Sequence, residues 1–295
     1  MSARILDGKN IASTLRAEIA ASVAALKEKQ GVVPGLGVVL VGDNPASRSY
    51  VTGKEKACAA AGIYSREVNL PGHSSREEIL AAVRALNVDS DIDGILVQLP
   101  LPEASIEREV IEAIDPAKDV DGFHPTNVGR MVLGLPSFIP CTPNGVVEIL
   151  RRSGIPTAGA SVVVIGRSQI VGRPLSILLS QKGVDATVTL CHTRSKEIAR
   201  FTREADIVVV AAGRPRTLTA DMVRPGSVII DVGVNRVPDS TKASGHRLVG
   251  DVDFEAVAEK ASAITPVPGG VGPMTIAMLL HNTVEAACRR RGISA

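Results

Sequence analysis

The stretch SVVVIGRSQIVGRPLS (161–176) decides the fold of this chain. Its β-branched residues 162–165 predict a buried strand, and the apolar residues that follow Gly172 at helical spacing predict a helix. Gly166 allows a tight turn between them. Because the first N–H groups of a helix have no partner inside it, we expect the turn to bind an anion such as a dinucleotide phosphate. The pattern differs from the usual G-x-G-x-x-G, so a simple crossover whose glycines serve packing is the alternative.

Three more apolar runs follow this stretch, at 182–192, 205–213 and 227–235. Each is separated from the next by a segment that can hold a crossover helix. Alternating strands and helices predict a mostly parallel sheet of the Rossmann type.

The residues after the second of these strands indicate which dinucleotide is bound. Where NAD binds, an acidic residue here usually bonds the ribose 2′-hydroxyl, and cationic and hydroxyl groups replace it where a 2′-phosphate must fit. This strand ends in CHTRS (191–195), which contains no acid, and Arg167 in the first turn can reach the same region. We therefore predict NADP as the cofactor. The alternative is that Arg167 and Arg194 only face solvent.

The first part of the chain shows the same alternation of strands and helices. Ser74 and Glu77 have the spacing of a capping box at the start of one helix. The pattern predicts, in order, a helix over 8–30, a strand over 35–42, a helix to about Ala61, a strand over 64–71, a helix over 74–87, a strand over 93–102 and a helix over about 105–114.

The second of these helices carries Tyr50 and Lys54 four residues apart, on one face. Asn44-Pro45 marks the turn before it, and Ser47 is a candidate helix cap. The helix starts directly after the carboxyl end of a strand, where α/β sheets bind ligands, so both residues are candidates for a site. The alternative is a solvated helix with an exposed lysine and a half-buried tyrosine.

Two further polar side chains are site candidates in the same part of the chain. Gln98 interrupts the apolar run ILVQLP, and a buried amide must be hydrogen-bonded, either to core backbone or to a ligand. The segment 115–130, DPAKDVDGFHPTNVGR, resembles neither helix nor strand and lacks calcium-loop spacing, so we expect no metal there. Asp121 either makes the Asp-Gly turn or pairs with N–H donors of a heterocyclic substrate.

Two segments rich in proline and glycine, 134–145 and 261–275, predict crossings between domains. No helix or strand is expected to continue through the second. The fold class is α/β with two domains: residues 1–140, completed by a final helix in 274–295, and a Rossmann-like NADP-binding domain of residues 141–273. Both crossing segments are expected to line a cleft between the domains as hinges.

Composition excludes several classes of protein. Of 295 residues 45% are hydrophobic and 22% charged, the net charge is +2 and there is no tryptophan, which fits a soluble globular protein without nucleic-acid binding. The four cysteines form no C-x-x-C and the five histidines show no metal spacing. Without a signal-peptide core or an apolar stretch of membrane-span length, we predict a cytoplasmic protein with free thiols.

Four motifs together resemble one known family. They are Tyr50-x-x-x-Lys54, DVDGF (119–123), GRSQIVGRP (166–174) and PGGVGPMT (268–275). In this order they resemble the bifunctional methylenetetrahydrofolate dehydrogenase/methenyltetrahydrofolate cyclohydrolase family, over almost the whole chain. The resemblance implies NADP-dependent oxidation of 5,10-methylenetetrahydrofolate, hydrolysis of the methenyl product to 10-formyltetrahydrofolate, a place in one-carbon metabolism and purine biosynthesis, and a homodimer.

The resemblance also implies roles for individual residues. Lys54 is the catalytic lysine, Tyr50 stacks on or borders the folate, Gln98 contacts Lys54 and the substrate, and Asp121 binds the pterin end; all four are counted as catalytic. The further residues expected to contact the folate are Leu99, Pro268 and Gly269. Those expected to bind the cofactor are Gly166, Arg167, Ser168, Thr193, Arg194, Val234 and Thr275. Thr193 stands where many relatives have serine, and Val234 where isoleucine is frequent.

Two other functions are considered. An NADP-dependent dehydrogenase of another small substrate would leave Tyr50, Lys54 and the DVDGF loop unexplained. A noncatalytic NADP-binding sensor would bind the cofactor without consuming folate, and a lysine and glutamine pair in a cleft argues mildly against it.

Overall fold

Strands and helices alternate along the computed structural model, which describes residues 3–242 and 245–293. In chain order the strands are β1 (Arg4–Ile5), β2 (Gly35–Val41), β3 (Tyr64–Leu70), β4 (Gly94–Val97), β5 (Ser161–Ile165), β6 (Thr187–Cys191), β7 (Ile207–Val210), β8 (Val228–Asp231), β9 (Asn235–Pro238), β10 (His246–Val249) and β11 (Ala263–Ile264). The helices are α1 (Gly8–Gln30), α2 (Pro45–Ala61), α3 (Arg76–Val88), α4 (Glu107–Glu112), α5 (Pro125–Val132), α6 (Cys141–Arg152), α7 (Gly172–Ser180), α8 (Ile198–Thr202), α9 (Phe254–Ala258) and α10 (Val271–Arg291).

The predicted Rossmann-like sheet has six parallel strands in the order β1-β11-β8-β7-β5-β6. Strand β5 lies between β6 and β7, so the strands that follow it in the sequence are added on both of its sides. The order of the chain therefore reverses at β5. Open α/β sheets bind ligands at such a switch point, beyond the carboxyl ends of the strands. The turn that begins at Gly166 lies at this point.

A second sheet has three parallel strands in the order β3-β2-β4. Strand β2 lies in the middle and all seven of its residues are buried, as the apolar run GLGVVLV predicts. The order reverses at β2, so this sheet has a switch point of its own beyond the carboxyl ends of β2 and β4. The α/β class with two domains, one of them Rossmann-like, is confirmed.

The chain divides into two compact units, which we call unit 1 (Met1–Ala12 with Thr142–Thr275) and unit 2 (Ser13–Cys141 with Ile276–Ala295). The placement of residues 1–12 differs from the expectation that they belong with the rest of 1–140. The reason is strand β1, which pairs in parallel with β11 through Arg4 and Ala263 and through Ile5 and Ile264. A strand of two residues is too short to show a periodic pattern in the sequence.

Each unit has its own hydrophobic core. In unit 1 the β-branched residues of β5, β7 and β8 pack with Leu218, Val257 and the end of β11. In unit 2 residues of β2 and β4 pack against α3 and against Val110 and Ile114. Each fully buried valine or isoleucine contributes about 1.5–3 kcal/mol, so these runs stabilise the sheets whose ends carry the candidate residues.

Two helix starts in unit 2 differ from the sequence prediction. The capping box of α3 uses Ser75 and Glu78 instead of Ser74 and Glu77, because the Ser74 N–H already bonds Pro71 in a preceding turn. Helix α5 lies inside the segment 115–130, for which no helix was predicted. The Thr126 N–H bonds the His124 ring and Pro125 takes the first helical position, where its missing N–H costs nothing.

The start of α10 also contradicts the prediction. The helix begins at Val271 and includes Pro273, three residues before the predicted start at Met274 and inside the segment through which no helix was expected to continue. Proline is tolerated there because it occupies the first turn, whose N–H groups have no partner inside the helix.

Strands β9 and β10 form an antiparallel hairpin that the sequence did not predict. Its residues are mostly exposed, so it carries no apolar alternation. None of the helices within the described residues is long and apolar enough to cross a membrane.

Candidate functional site

Lys54 and Gln98 meet at the switch point of the three-stranded sheet. Lys54 lies on α2, which follows β2, and Gln98 directly follows β4, with its N–H bonded to Val39 of β2. The Lys54 ammonium donates to Gln98 Oε1 at 3.0 Å, and Gln98 Nε2 donates to the Leu99 carbonyl at 2.7 Å. The second bond fixes which way the amide points, so that its oxygen is presented to the lysine.

Lys54 is only 7% exposed, which is unusual for a lysine. Burial lowers the pKa of Lys54, and attraction by the Asp121 carboxylate works in the opposite direction. Its hydrogen-bond acceptor is a neutral amide, so Gln98 orients the amine without adding a charge. The arrangement therefore favours an amine that exchanges protons more easily than a solvated lysine does.

Asp121 reaches this group from a third segment. Asp119 forms a parallel bridge with Ile95 of β4, so the chain runs alongside β4 towards its carboxyl end as it approaches Asp121. Burial raises the pKa of Asp121, while the Lys54 charge and a hydrogen bond with the Cys141 thiol act to lower it. A carboxylate in this position can accept bonds from N–H donors of a ligand.

The turn after Asp121 is held by a second aspartate, Asp119, which was not among the predicted site residues. Asp119 is 1% exposed and accepts bonds from the N–H groups of Phe123 and His124 and from the Asn127 amide. Burial raises the pKa of Asp119 to about 6.

Tyr50 lies one turn before Lys54 on α2 and is 48% exposed. The helix itself is capped by Asn44, whose side-chain oxygen accepts the Ser47 N–H at 3.3 Å. The prediction of Ser47 as the cap is therefore wrong, because Ser47 already lies in the first turn. An exposed aromatic ring beside the lysine leaves one face free for a planar ligand.

In unit 1, the turn at the switch point admits only glycine at two positions. A Cβ atom on Gly166, whose φ is +124°, would lie 2.1 Å from the Ala211 carbonyl oxygen, and one on Gly172 would lie 1.8 Å from that of Gly166. The turn therefore passes very close to the end of β7. The two glycines therefore allow the tight turn and the close packing of backbone against backbone, which are two uses of glycine in this fold.

The donors at the start of α7 differ from the expectation. Ser168 Oγ accepts the N–H groups of Val171 and Gly172, and the Ser168 carbonyl accepts that of Arg173. These N–H groups therefore have partners, because the turn includes a serine that caps them from within. Arg167 and Ser168 are exposed, so their side chains are the groups offered to an anion.

The turn after β6 lies beside this one. Ile165 pairs with Cys191, so Gly166 and His192 leave neighbouring strands at the same edge. The His192 N–H bonds Ser195 Oγ, while Thr193 and Arg194 are exposed. Arg167, Thr193 and Arg194 thus offer two guanidinium groups and a hydroxyl with no acid among them, which suits a 2′-phosphate.

The remaining predicted residues of unit 1 lie on three other segments. Val234 is 47% exposed just after β8, and Thr275 Oγ1 lies 3.0 Å from Thr142 Oγ1. Pro268 is exposed, and the Gly269 carbonyl accepts the Lys9 N–H at 2.8 Å.

Two buried aspartates that were not predicted from the sequence position the turns after β7 and β8. Asp251 accepts the N–H groups of Ala212 and Gly213, and Asp231 accepts that of Gly233. Burial raises the pKa of Asp231 to about 6. In the sequence both aspartates are followed by valine, in DVGVN (231–235) and DVDF (251–254), and this repeat could have indicated them.

A cavity of about 310 Å³ in unit 2 contains none of the predicted site residues. Phe138, Arg289 and Arg290 are among its lining residues, and both arginines already pair with carboxylates, of Glu285 and Asp93. The described residues contain no group of three or more His, Cys, Asp or Glu that could hold a metal ion.

Comparison with known proteins shows which family the chain belongs to. The family profile described as "Tetrahydrofolate dehydrogenase/cyclohydrolase, catalytic domain" matches residues 6–121, and the profile of its NAD(P)-binding domain matches residues 140–291. The chain belongs to the tetrahydrofolate dehydrogenase/cyclohydrolase family. The predicted resemblance is confirmed, and so is the prediction of an enzyme with both activities that this family is named for.

Individual members of the tetrahydrofolate dehydrogenase/cyclohydrolase family match nearly the whole chain. "Bifunctional protein FolD 1" of Myxococcus xanthus is 55% identical over 286 residues, 97% of this chain and 98% of that protein. The crystal structure of the bifunctional enzyme FolD from Campylobacter jejuni has a TM-score of 0.92 at 48% identity, covering 98% of this chain and 100% of its own. That of Trypanosoma brucei FolD, complexed with NADP cofactor and inhibitor, has a TM-score of 0.94 at 39% identity and covers 99% of both chains.

Proposed function

We propose that the chain oxidises 5,10-methylenetetrahydrofolate with NADP and hydrolyses the resulting 5,10-methenyltetrahydrofolate to 10-formyltetrahydrofolate. The observation that carries this proposal is the buried Lys54 amine, bonded to the neutral Gln98 amide with Asp121 nearby, at a sheet switch point. Membership of the tetrahydrofolate dehydrogenase/cyclohydrolase family supports both steps.

Most of the residues that we assign to the folate belong to unit 2, while Pro268 and Gly269 belong to unit 1. We assign the N–H donors of the pterin end to the Asp121 carboxylate and one face of the folate to the exposed Tyr50 ring. The backbone at Leu99, Pro268 and Gly269 is assigned to further folate contacts. Holding the folate in one orientation supplies much of the rate of both steps.

The hydrolytic step needs a proton acceptor. Water adds to the methenyl carbon, and Lys54 Nζ takes a proton from that water, which a neutral amine can do. Gln98 keeps Nζ aimed at the substrate. The bond between that carbon and N5 then breaks, the proton of the new hydroxyl passes to N5 to give the 10-formyl product, and the proton on Lys54 leaves for solvent.

NADP fits the exposed turns of unit 1. Gly166, Ser168, Val234 and Thr275 are assigned to the dinucleotide, and Arg167, Thr193 and Arg194 to the 2′-phosphate. When bound, the cofactor accepts the hydride from the one-carbon bridge.

The experiment follows methenyl product by absorbance, using purified protein and 5,10-methylenetetrahydrofolate with NADP or NAD. Product formed mainly with NADP is the expected result. Activity mainly with NAD would overturn the role of Arg167 and Thr193, and no product with either cofactor would favour a noncatalytic sensor.

We further propose a homodimer in the cytoplasm that contributes 10-formyl groups to purine biosynthesis. The dimer and the pathway rest on the family resemblance. The four cysteines are buried free thiols, which suits a reducing compartment. Light scattering of the purified protein tests the dimer.

A further inference from the structure

Asn282 is a buried amide in the middle of α10. It is 2% exposed, and its Nδ2 donates to the carbonyl oxygens of Val120 at 2.8 Å and Ile139 at 3.0 Å. A side-chain NH₂ group has two hydrogens, so both are used on backbone of two different segments. The same nitrogen lies 3.7 Å from Cys141 Sγ.

These two segments flank the Asp121 turn. Val120 directly precedes Asp121, and its carbonyl also accepts the Cys141 thiol at 3.4 Å. A Cβ on Gly122 would lie 2.7 Å from Pro140 N and 2.8 Å from the Ile139 carbonyl carbon. The turn and residues 139–141 are therefore in direct backbone contact, with the Asn282 amide joining them.

The sequence offers no local reason for asparagine at this place. In the surrounding run MLLHNTVEAA (278–287) every residue except His281 and Glu285 is buried, and asparagine is a poor helix former. Its neighbour Thr283 is also buried, but the Thr283 hydroxyl bonds Leu279 inside the same helix. Only the Asn282 amide of this pair reaches the loops.

We propose that Asn282 is a positioning residue for the folate reaction. It does not touch substrate; it holds Val120 and Ile139 together so that the Asp121 carboxylate faces Lys54. The inference rests on the proposed assignment of Asp121 to the folate. Without the amide, two buried carbonyls lose a donor and the turn relaxes.

The first test measures both kinetic constants of Asn282→Leu, which keeps the volume and removes the donors. Thr283→Val is the matched control, since it removes a buried hydroxyl from the same helix without affecting the loops. We expect the KM for 5,10-methylenetetrahydrofolate to rise about tenfold or more in Asn282→Leu, as small displacements of a binding group have large effects. The NADP dissociation constant and the kinetics of Thr283→Val are expected to stay within about twofold.

The second test does not depend on folate. Cys141 is 1% exposed, and the Asn282 contact helps to bury it. The rate at which N-ethylmaleimide alkylates Cys141, followed by mass spectrometry of the intact folded protein, is expected to rise about tenfold in Asn282→Leu only, because opening of the turn exposes the thiol.

The outcomes separate the two proposals. A wild-type protein that gives no methenyl product overturns the proposed function, and the alkylation rates then decide alone whether Asn282 holds the turn. Wild-type KM or a wild-type alkylation rate in Asn282→Leu overturns the inference. Equal changes of the KM and the alkylation rate in Thr283→Val would also overturn the inference, because any substitution in α10 would then have the same effect.

Discussion

The Lys54 ammonium and the Gln98 amide oxygen lie 3.0 Å apart although they belong to different β/α units. Parallel pairing of β2 with β4 brings them together, because Gln98 directly follows β4 and Lys54 lies on α2, the helix that follows β2. The pair is thus positioned by the sheet and not by a flexible loop. Its chemistry can be tested one group at a time.

Replacing Lys54 by methionine removes the amine and keeps most of the volume. We expect cyclohydrolase activity to fall at least about 100-fold while some dehydrogenase activity remains, since hydrolysis needs the proton acceptor and hydride transfer depends mainly on positioning. The decay of methenyltetrahydrofolate absorbance measures the first activity. Lys56→Met, an exposed lysine on the same helix, is the control. An unchanged hydrolysis rate in Lys54→Met would refute the assignment.

Gln98→Glu places a carboxylate beside Lys54. A negative charge at this distance favours the ammonium, so the pKa of Lys54 rises and less neutral amine is present at a given pH. The pH at which the cyclohydrolase rate increases should therefore be higher by about one unit or more than in the wild type. A pH profile measures this shift, and Gln98→Leu, which adds no charge, should lose activity without moving the profile upward.

Arg167→Ala tests the cofactor assignment. Loss of a guanidinium facing the 2′-phosphate should raise the KM for NADP about tenfold or more and leave that for NAD nearly unchanged. Arg173→Ala removes an equally charged exposed residue from the start of α7 and should leave both values as they are. Equal losses with the two cofactors would mean that Arg167 acts on something they share.

Asp231→Asn tests a pH effect on stability. Burial raises the pKa of Asp231 to about 6, so between about pH 6 and pH 4 the folded wild type holds a proton that the unfolded chain lacks. Stability from this group therefore grows as the pH falls through about 6. Relative to Asp231→Asn, the wild type should gain about 2 kcal/mol of unfolding free energy between about pH 8 and pH 4.5. Urea unfolding at both pH values measures the difference, and a constant gap would contradict the assignment.

Much of the fold follows from buried runs of β-branched residues. The runs at β2 and β7 are apolar throughout, and those at β5 and β8 have one polar residue at an end, Ser161 and Asp231. Both the existence of these strands and their parallel pairing are therefore predictable. The hairpin of β9 and β10 escaped prediction because its residues face solvent and contain a proline. Strand β1 was not predicted because a strand of two residues is too short to show an alternating pattern.

The candidate site was predictable where polar groups interrupt an apolar pattern at a strand end, as Gln98 does. Asn282 interrupts such a pattern too, but in a helix far along the chain, and only the tertiary contacts with Val120 and Ile139 reveal its purpose. The capping of α7 by Ser168 could not be predicted from the sequence either, because it depends on how the turn brings the Ser168 hydroxyl to the N–H groups of Val171 and Gly172.

The chain changes unit at residues 12, 141 and 275, so neither unit is a continuous piece of sequence. During synthesis, unit 1 cannot be completed before Thr275 has been added, and unit 2 cannot be completed before α10 has been made. Neither unit is therefore complete before residue 275 has been synthesised. A gene cut at codon 141 would likewise yield two products, each carrying fragments of both units and a complete copy of neither.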